Sequence, residues 1–211
     1  MLTAAAGSAD AVSYLGLGRV FTANMTGNLV LLGVAIAQGQ LAGSIRSILA
    51  FAAFGLGVLV GVRVTAGTEP AAVWPRSVIL PLVGELGLLV ALLTGWEIAG
   101  DRPEALMLDV LVALSAGAMG MQTAAARRSG VVGVTTTFVT GMLTGLIAEL
   151  AAVAPGRSHQ TIWAATLACM LIGAALGAAA FIVWRPGAPL VAVLLVGFVI
   201  AAAPWLTRPG D

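Results

Sequence analysis

Residues 161–184 read Thr-Ile-Trp-Ala-Ala-Thr-Leu-Ala-Cys-Met-Leu-Ile-Gly-Ala-Ala-Leu-Gly-Ala-Ala-Ala-Phe-Ile-Val-Trp, a run of 24 positions without a single charge. A helix of about 20 apolar residues crosses a hydrocarbon core of ~30 Å, because only a helix satisfies its own backbone there. Working outward, the same pattern recurs at 1–18, 21–43, 45–66, 77–99, 105–126, 131–154 and 188–206. Most of these runs exceed the spanning length. The first is short, and the second is polar at its start. The reading is all-α: a polytopic membrane helix bundle of six to eight transmembrane segments, forming a single transmembrane domain over 1–211.

Composition agrees. Of the 211 residues, 60% are hydrophobic and 9% charged, with a mean hydropathy of +1.05. Soluble domains carry roughly 25% charged residues, so this chain cannot coat a water-facing surface. The net charge of +1, with all ten basic residues arginine, offers no field for nucleic acid. One cysteine, Cys169, and one histidine, His159, exclude a disulfide framework and a Cys/His metal site. Cys169 reads as a buried small hydrophobe.

Trp74, Trp96, Trp163, Trp184 and Trp205 lie at or just beyond run ends, where indole rings suit the headgroup level. Pro75, Pro103, Pro155, Pro186 and Pro209 fall between runs, where a missing N–H costs little. The start shows no positive region ahead of an apolar stretch, so the first run is expected to stay in the mature protein. If all eight runs span, Arg19, Arg63, Arg76, Arg127, Arg128 and Arg185 share one side, and Arg46, Arg102, Arg157 and Arg208 the other. Six against four would put the termini outside the cytoplasm.

The halves, about 1–100 and 104–211, resemble each other. Thr22, Thr26, Gly27 and Leu29 match Thr136, Thr140, Gly141 and Leu143 at an offset of 114. Gly57-x-x-x-Gly61 matches Gly173-x-x-x-Gly177 at 116, and Trp74-Pro-Arg compares with Trp184-Arg-Pro at 110. A two-fold internal repeat follows, with a site at the interface of the halves. The paired glycines read as places where another backbone approaches closely.

Polar residues inside apolar segments are costly and mark candidate sites. One cluster holds Asp10, Ser13, Thr22, Asn24, Thr26 and Asn28; the other holds Gln122, Thr123, Thr135, Thr136, Thr137, Thr140 and Thr144. Asn24 and Asn28 share a helix face, as do Thr136, Thr140 and Thr144. Thr26-Gly27-Asn28 and Thr140-Gly141 are places for a helix to start or break, exposing backbone N–H groups to a polar ligand. The plainer reading is hydroxyls bonded back to their own helix or gluing two helices together.

Ala-Gly-Ser-Ala-Asp-Ala-Val-Ser-Tyr-Leu at 6–15, Phe-Thr-Ala-Asn-Met-Thr-Gly-Asn-Leu-Val-Leu-Leu-Gly at 21–33, and Gly120-Met-Gln122 with Thr136-Thr-Phe-Val-Thr-Gly141 resemble the YoaK family of bacterial membrane proteins. The resemblance covers essentially the whole chain. It implies a multi-spanning protein of the bacterial inner (plasma) membrane and supplies no catalytic residues. The chain has fewer apolar residues ahead of its Ala-Gly-x-x-Asp motif than the resemblance implies, which bears on the depth of Asp10.

Glu85 lies well inside the run 77–99, and Asp10 mid-run in 1–18. Acids at such depth are the proton relays of transporters, with Arg63 a candidate partner for Glu85. Asp109 and Glu149 sit closer to run ends, where a carboxylate reaches water or an arginine. A phosphate-binding P-loop is excluded by the absence of lysine, and no nucleophile–base pair or metal set can be assembled. The expectation is therefore not an enzyme, with no cofactor. It is an ion-gradient-driven secondary transporter or permease of a small polar or anionic solute. Asp10, Thr22, Asn24, Thr26, Gly27, Asn28, Glu85, Gln122, Thr136, Thr140, Gly141 and Thr144 would form the site, and Asp10 or Glu85 would carry the proton. Partners would be the bilayer, the solute and further copies of the chain in a homo-oligomer. The alternative is a non-transporting scaffold that binds a partner.

Overall fold

The computed structural model describes residues 1–66, 76–100, 103–128, 139–151 and 160–206. They form α1 (Leu2–Gly16), α2 (Met25–Ala37), α3 (Leu41–Val64), α4 (Arg76–Ala99), α5 (Ala105–Arg128), α6 (Val139–Ala151), α7 (Gln160–Val183) and α8 (Leu190–Leu206). A 3-10 turn over Arg185–Gly187 joins α7 to α8. The protein is all-helical among the described residues. Among the described residues, five stretches are long and apolar enough to cross a membrane: Leu41–Val64, Val78–Ala99, Ala105–Arg128, Gln160–Val183 and Arg185–Ala203.

Direction within the bundle follows from which residues touch. A Cβ on Gly173 would strike the Ala4 carbonyl, and one on Gly177 the Ser8 backbone. Residue number rises together on both sides, so α1 and α7 run parallel. Gly57 meets Gly117, and Gly61 meets Met121 and Ala124, so α3 and α5 are also parallel. By contrast Gly84 meets Met121 while Gly95 meets Leu111, which makes α4 and α5 antiparallel. Gly16, at the end of α1, packs on Trp96, at the end of α4. Val78, at the start of α4, clusters with Val199, midway along α8, while Trp96, near the end of α4, shares a cavity with Ala192, near the start of α8. Hence α1, α4 and α7 point one way, and α3, α5 and α8 the other.

The tight pairs are made by small residues. In α1, Ala4, Ala5, Ala6, Gly7 and Ala9 are buried, so this 15-residue helix, about 22 Å long, lies inside the bundle. Bare backbones meet at van der Waals distance, and dispersion rather than water exclusion holds them in lipid.

The run 21–43 does not form one span. Its helix, α2, has 13 residues, about 20 Å. The chain leaves α1 at its end, passes through Gly18 (φ +84°) and Arg19 (φ +62°), and returns to the level of Asp10. There α2 begins. It runs back out and turns through Gln38 and Gly39 (φ +67°) into α3. Arg19 therefore lies at the same end of the bundle as Arg46 and Arg185, opposite Arg63, Arg127 and Arg128. The arginine partition expected for eight spans does not hold. Arg102, Arg157 and Arg208 lie outside the described residues, as do Trp74, Pro75, Pro155, His159 and Pro209.

Trp96 differs from the interfacial expectation. It is 6% exposed, stands edge-on to Phe181 and donates its indole N–H to the Arg185 carbonyl at 3.0 Å. Trp184 does stand at the surface.

Candidate functional site

The returning segment is organised by one carboxylate. Asp10 Oδ1 accepts backbone N–H bonds from Thr22 (2.8 Å), Ala23 (2.6 Å) and Asn24 (3.4 Å). Asn24 caps α2, its Oδ1 accepting from the Gly27 N–H at 3.1 Å. The side chain of Asn28 pairs with the backbone of Phe21. Its Nδ2 donates to the Phe21 carbonyl at 2.6 Å, and its Oδ1 accepts the Phe21 N–H at 2.8 Å. A segment that turns back at depth has no sheet or helix to satisfy its N–H groups, and unpaired ones cost several kcal/mol in lipid. Asp10, Asn24 and Asn28 supply those partners.

Thr22 is fully buried and receives a hydrogen bond from Ser115 Oγ at 2.9 Å, tying the returning segment to α5. Ser115, Ser8 and Ser13 line a small cavity of about 10 Å³ between α1, α4, α5 and α8, with Leu89 and Trp96 on its other walls. Such a volume holds a single water. Ser13 bonds back to the Asp10 carbonyl, whereas Ser8 Oγ has no partner among the described residues.

Glu85 is fully buried, and neither carboxyl oxygen has a hydrogen-bond partner among the described residues. It shares a face of α4 with Leu82 and Leu89. Leu82 packs with Ala125 and Val199, and Leu89 lines the cavity. Arg63, exposed in the last turn of α3, does not reach it. Gln122, also buried, donates to the Leu2 carbonyl at 3.1 Å, while its Oε1 is unpartnered among the described residues. Asp109 has its arginine: Arg46 Nε lies 3.1 Å away, linking the starts of α3 and α5.

The predicted residues do not all converge. Asp10, Thr22, Asn24 and Asn28 meet at the start of α2. Gly27 abuts the Phe21 ring. Glu85 and Gln122 belong to the core. Thr26, Thr140 and Thr144 are exposed, and Thr144 bonds back to the Thr140 carbonyl at 2.9 Å. Gly141 sits half-buried beside them in α6, which packs on α7, whereas α2 packs on α3. Among the described residues the two Thr-Gly stretches thus rest on different helices. Thr135, Thr136 and Thr137 lie outside the described residues, as does the side chain of Glu149. Ser8 and Ser115 escaped the reading of the sequence. The signal was there, a hydroxyl in the middle of an apolar span, but in an Ala/Gly-rich setting small size hides it.

These features define a class: a multi-pass helical membrane protein with short helices interrupting its long ones and unpartnered polar groups in its core. Residues 1–202 match the family model described as "Protein of unknown function (DUF1275)", and the chain belongs to that family. It is 34% identical over 150 residues to UPF0700 transmembrane protein YoaK of Bacillus subtilis (strain 168). That match covers 71% of this chain and 64% of YoaK. No solved structure matches.

Proposed function

We propose that the chain is a secondary permease of the bacterial inner membrane for a small polar solute, built from two inverted copies of one four-helix unit. One observation carries this reading. Gly7 of α1 approaches Met170 and Ala174 of α7; Gly120 of α5 approaches Phe54 and Val58 of α3. Gly173 approaches Ala4, as Gly57 approaches Gly117. Each of these α1 residues maps to its α5 counterpart 113 positions on, and each of these α3 residues to its α7 counterpart 116 positions on. Yet α1 and α5 point in opposite directions, as do α3 and α7, and α4 and α8. Matching contacts in opposite orientation are what an inverted repeat produces, and the half-length α2 and α6 occupy equivalent places in the order.

Transporters use this design because the two copies can exchange conformations, opening one side and then the other. The solute site falls in the serine-lined cavity between the halves, here closed. Glu85, one turn from Leu89, is the ion-coupling acid. Buried polar groups without partners are expensive, and Ser8 and Glu85 are reserved for ligands of another state.

Stopped-flow swelling of proteoliposomes in glycerol, urea and acetamide tests this. At least one solute should enter faster than into empty liposomes, and Glu85→Gln and Ser8→Leu should abolish the excess. The competing scaffold reading is favoured by the internal use of Thr22, Asn24 and Asn28. Swelling equal to that of empty liposomes for all three solutes, with folded protein, would decide for it.

A further inference from the structure

A second polar site lies on the opposite side of α1 from the serine-lined cavity. Between α1, α7 and the returning segment is a groove of about 390 Å³, with Asp10 and Asn24 on its wall. That volume falls within the roughly 300–1,000 Å³ of small-molecule sites. We propose that this groove binds an organic ammonium group carried on a small apolar body.

Three observations meet there. First, Asp10 is 6% exposed, and its Oδ1 is occupied by three backbone N–H groups, but Oδ2 has no hydrogen-bond partner among the described residues. The carboxylate is thus held rigidly with one acceptor to spare. Second, Tyr14 and Phe21 stack at 5.3 Å between ring centroids and both line the groove. Their faces suit a cation, which the ring quadrupole attracts. Third, the remaining walls are small or apolar, among them Gly7, Ala11, Ala174 and Ala178, and no basic side chain among the described residues lines the groove. A hard metal cation needs six or more oxygens, which this wall does not offer. An anion meets a carboxylate. An ammonium needs one good acceptor and an apolar, aromatic surround, and both are present.

Position supports an amphiphile. Asp10 lies six residues, about 9 Å, from the end of α1, so a ligand whose nitrogen reaches Asp10 leaves its apolar part along Tyr14 and Leu15 near the bundle end. The binding is independent of transport and can fail while the permease reading stands.

The test is calorimetric titration of the full chain in detergent with 2-phenylethylammonium, against 3-phenylpropionate as the anionic counterpart. The amine should bind saturably and the anion at least tenfold more weakly. Asp10→Asn, which keeps the acceptor for the backbone N–H groups, should weaken the amine at least tenfold. Ala178→Leu, which fills the groove from the α7 wall, should do the same. Equal affinity for amine and anion, or unchanged affinity in both variants, overturns the proposal. So does displacement of the amine by phosphatidylethanolamine nanodiscs but not by phosphatidylglycerol nanodiscs, which would make the groove a lipid-headgroup site.

Discussion

Asp10 and Glu85 are both buried acids, and they do opposite things. Asp10 is an acceptor with three donors, so removing it strands three N–H groups away from water. Each buried unsatisfied donor costs about 1–3 kcal/mol. Asp10→Ala should lower the thermal midpoint in detergent by several degrees, and Asp10→Asn by distinctly less, as read by near-ultraviolet circular dichroism. Glu85 has no hydrogen bond to lose among the described residues. A carboxyl without partners gains from replacement by an apolar residue, so Glu85→Leu should hold or raise the midpoint while removing any transport. A fall in midpoint would make Glu85 structural. The sequence flagged Asp10, Asn24 and Asn28 because their cost in an apolar run is visible. It could not show that the partners of Asp10 are backbone groups 12 to 14 residues on, since main-chain donors leave no mark in side-chain pattern. Nor could it tell that Thr26 and Thr140 point outward, because that depends on which face of α2 and α6 is packed.

The helices divide by how closely they approach. Gly57, Gly120 and Gly173 sit where a Cβ would meet another helix's backbone, which cannot yield, whereas Gly33, Gly55 and Gly87 meet nothing within 4 Å. Alanine at any of the first three should push helices apart and cost about 2 kcal/mol or more, in the range of overpacking. Alanine at the second three should be neutral or stabilise by up to about 1 kcal/mol through helix propensity. Thermal midpoints of the six variants check both halves of this statement. The Gly-x-x-x-Gly spacing made the close approaches legible beforehand. The length of α2 was not, although Gln38-Gly39-Gln40 interrupts the run 21–43 with polar residues and a left-handed turn. Hydropathy averaged over a window smooths such a break away.

For the molecule as a whole, the returning segment decides which loops share a side. In a Cys169→Ser background, Arg19→Cys, Gln38→Cys and Glu104→Cys should all be labelled by a membrane-impermeant maleimide from one side, and Ala66→Cys from the other. Labelling of Arg19→Cys and Gln38→Cys from opposite sides would mean that α2 crosses the bilayer. The overall class was plain from hydrophobic runs, because lipid imposes a simple rule on composition. Handedness and direction were not, because antiparallel and parallel neighbours bury the same small residues.

The partnership of α1 with α7 also bears on how the protein is made. Helix α1 is short, alanine-rich and carries an acid, and the helix whose glycines receive it ends only at Val183. Until then the surface that seals α1 does not exist. The nascent chain must therefore keep α1 sheltered, in the translocon or against insertion factors, until α7 is made, and chains cut short before α7 should be cleared by membrane proteases.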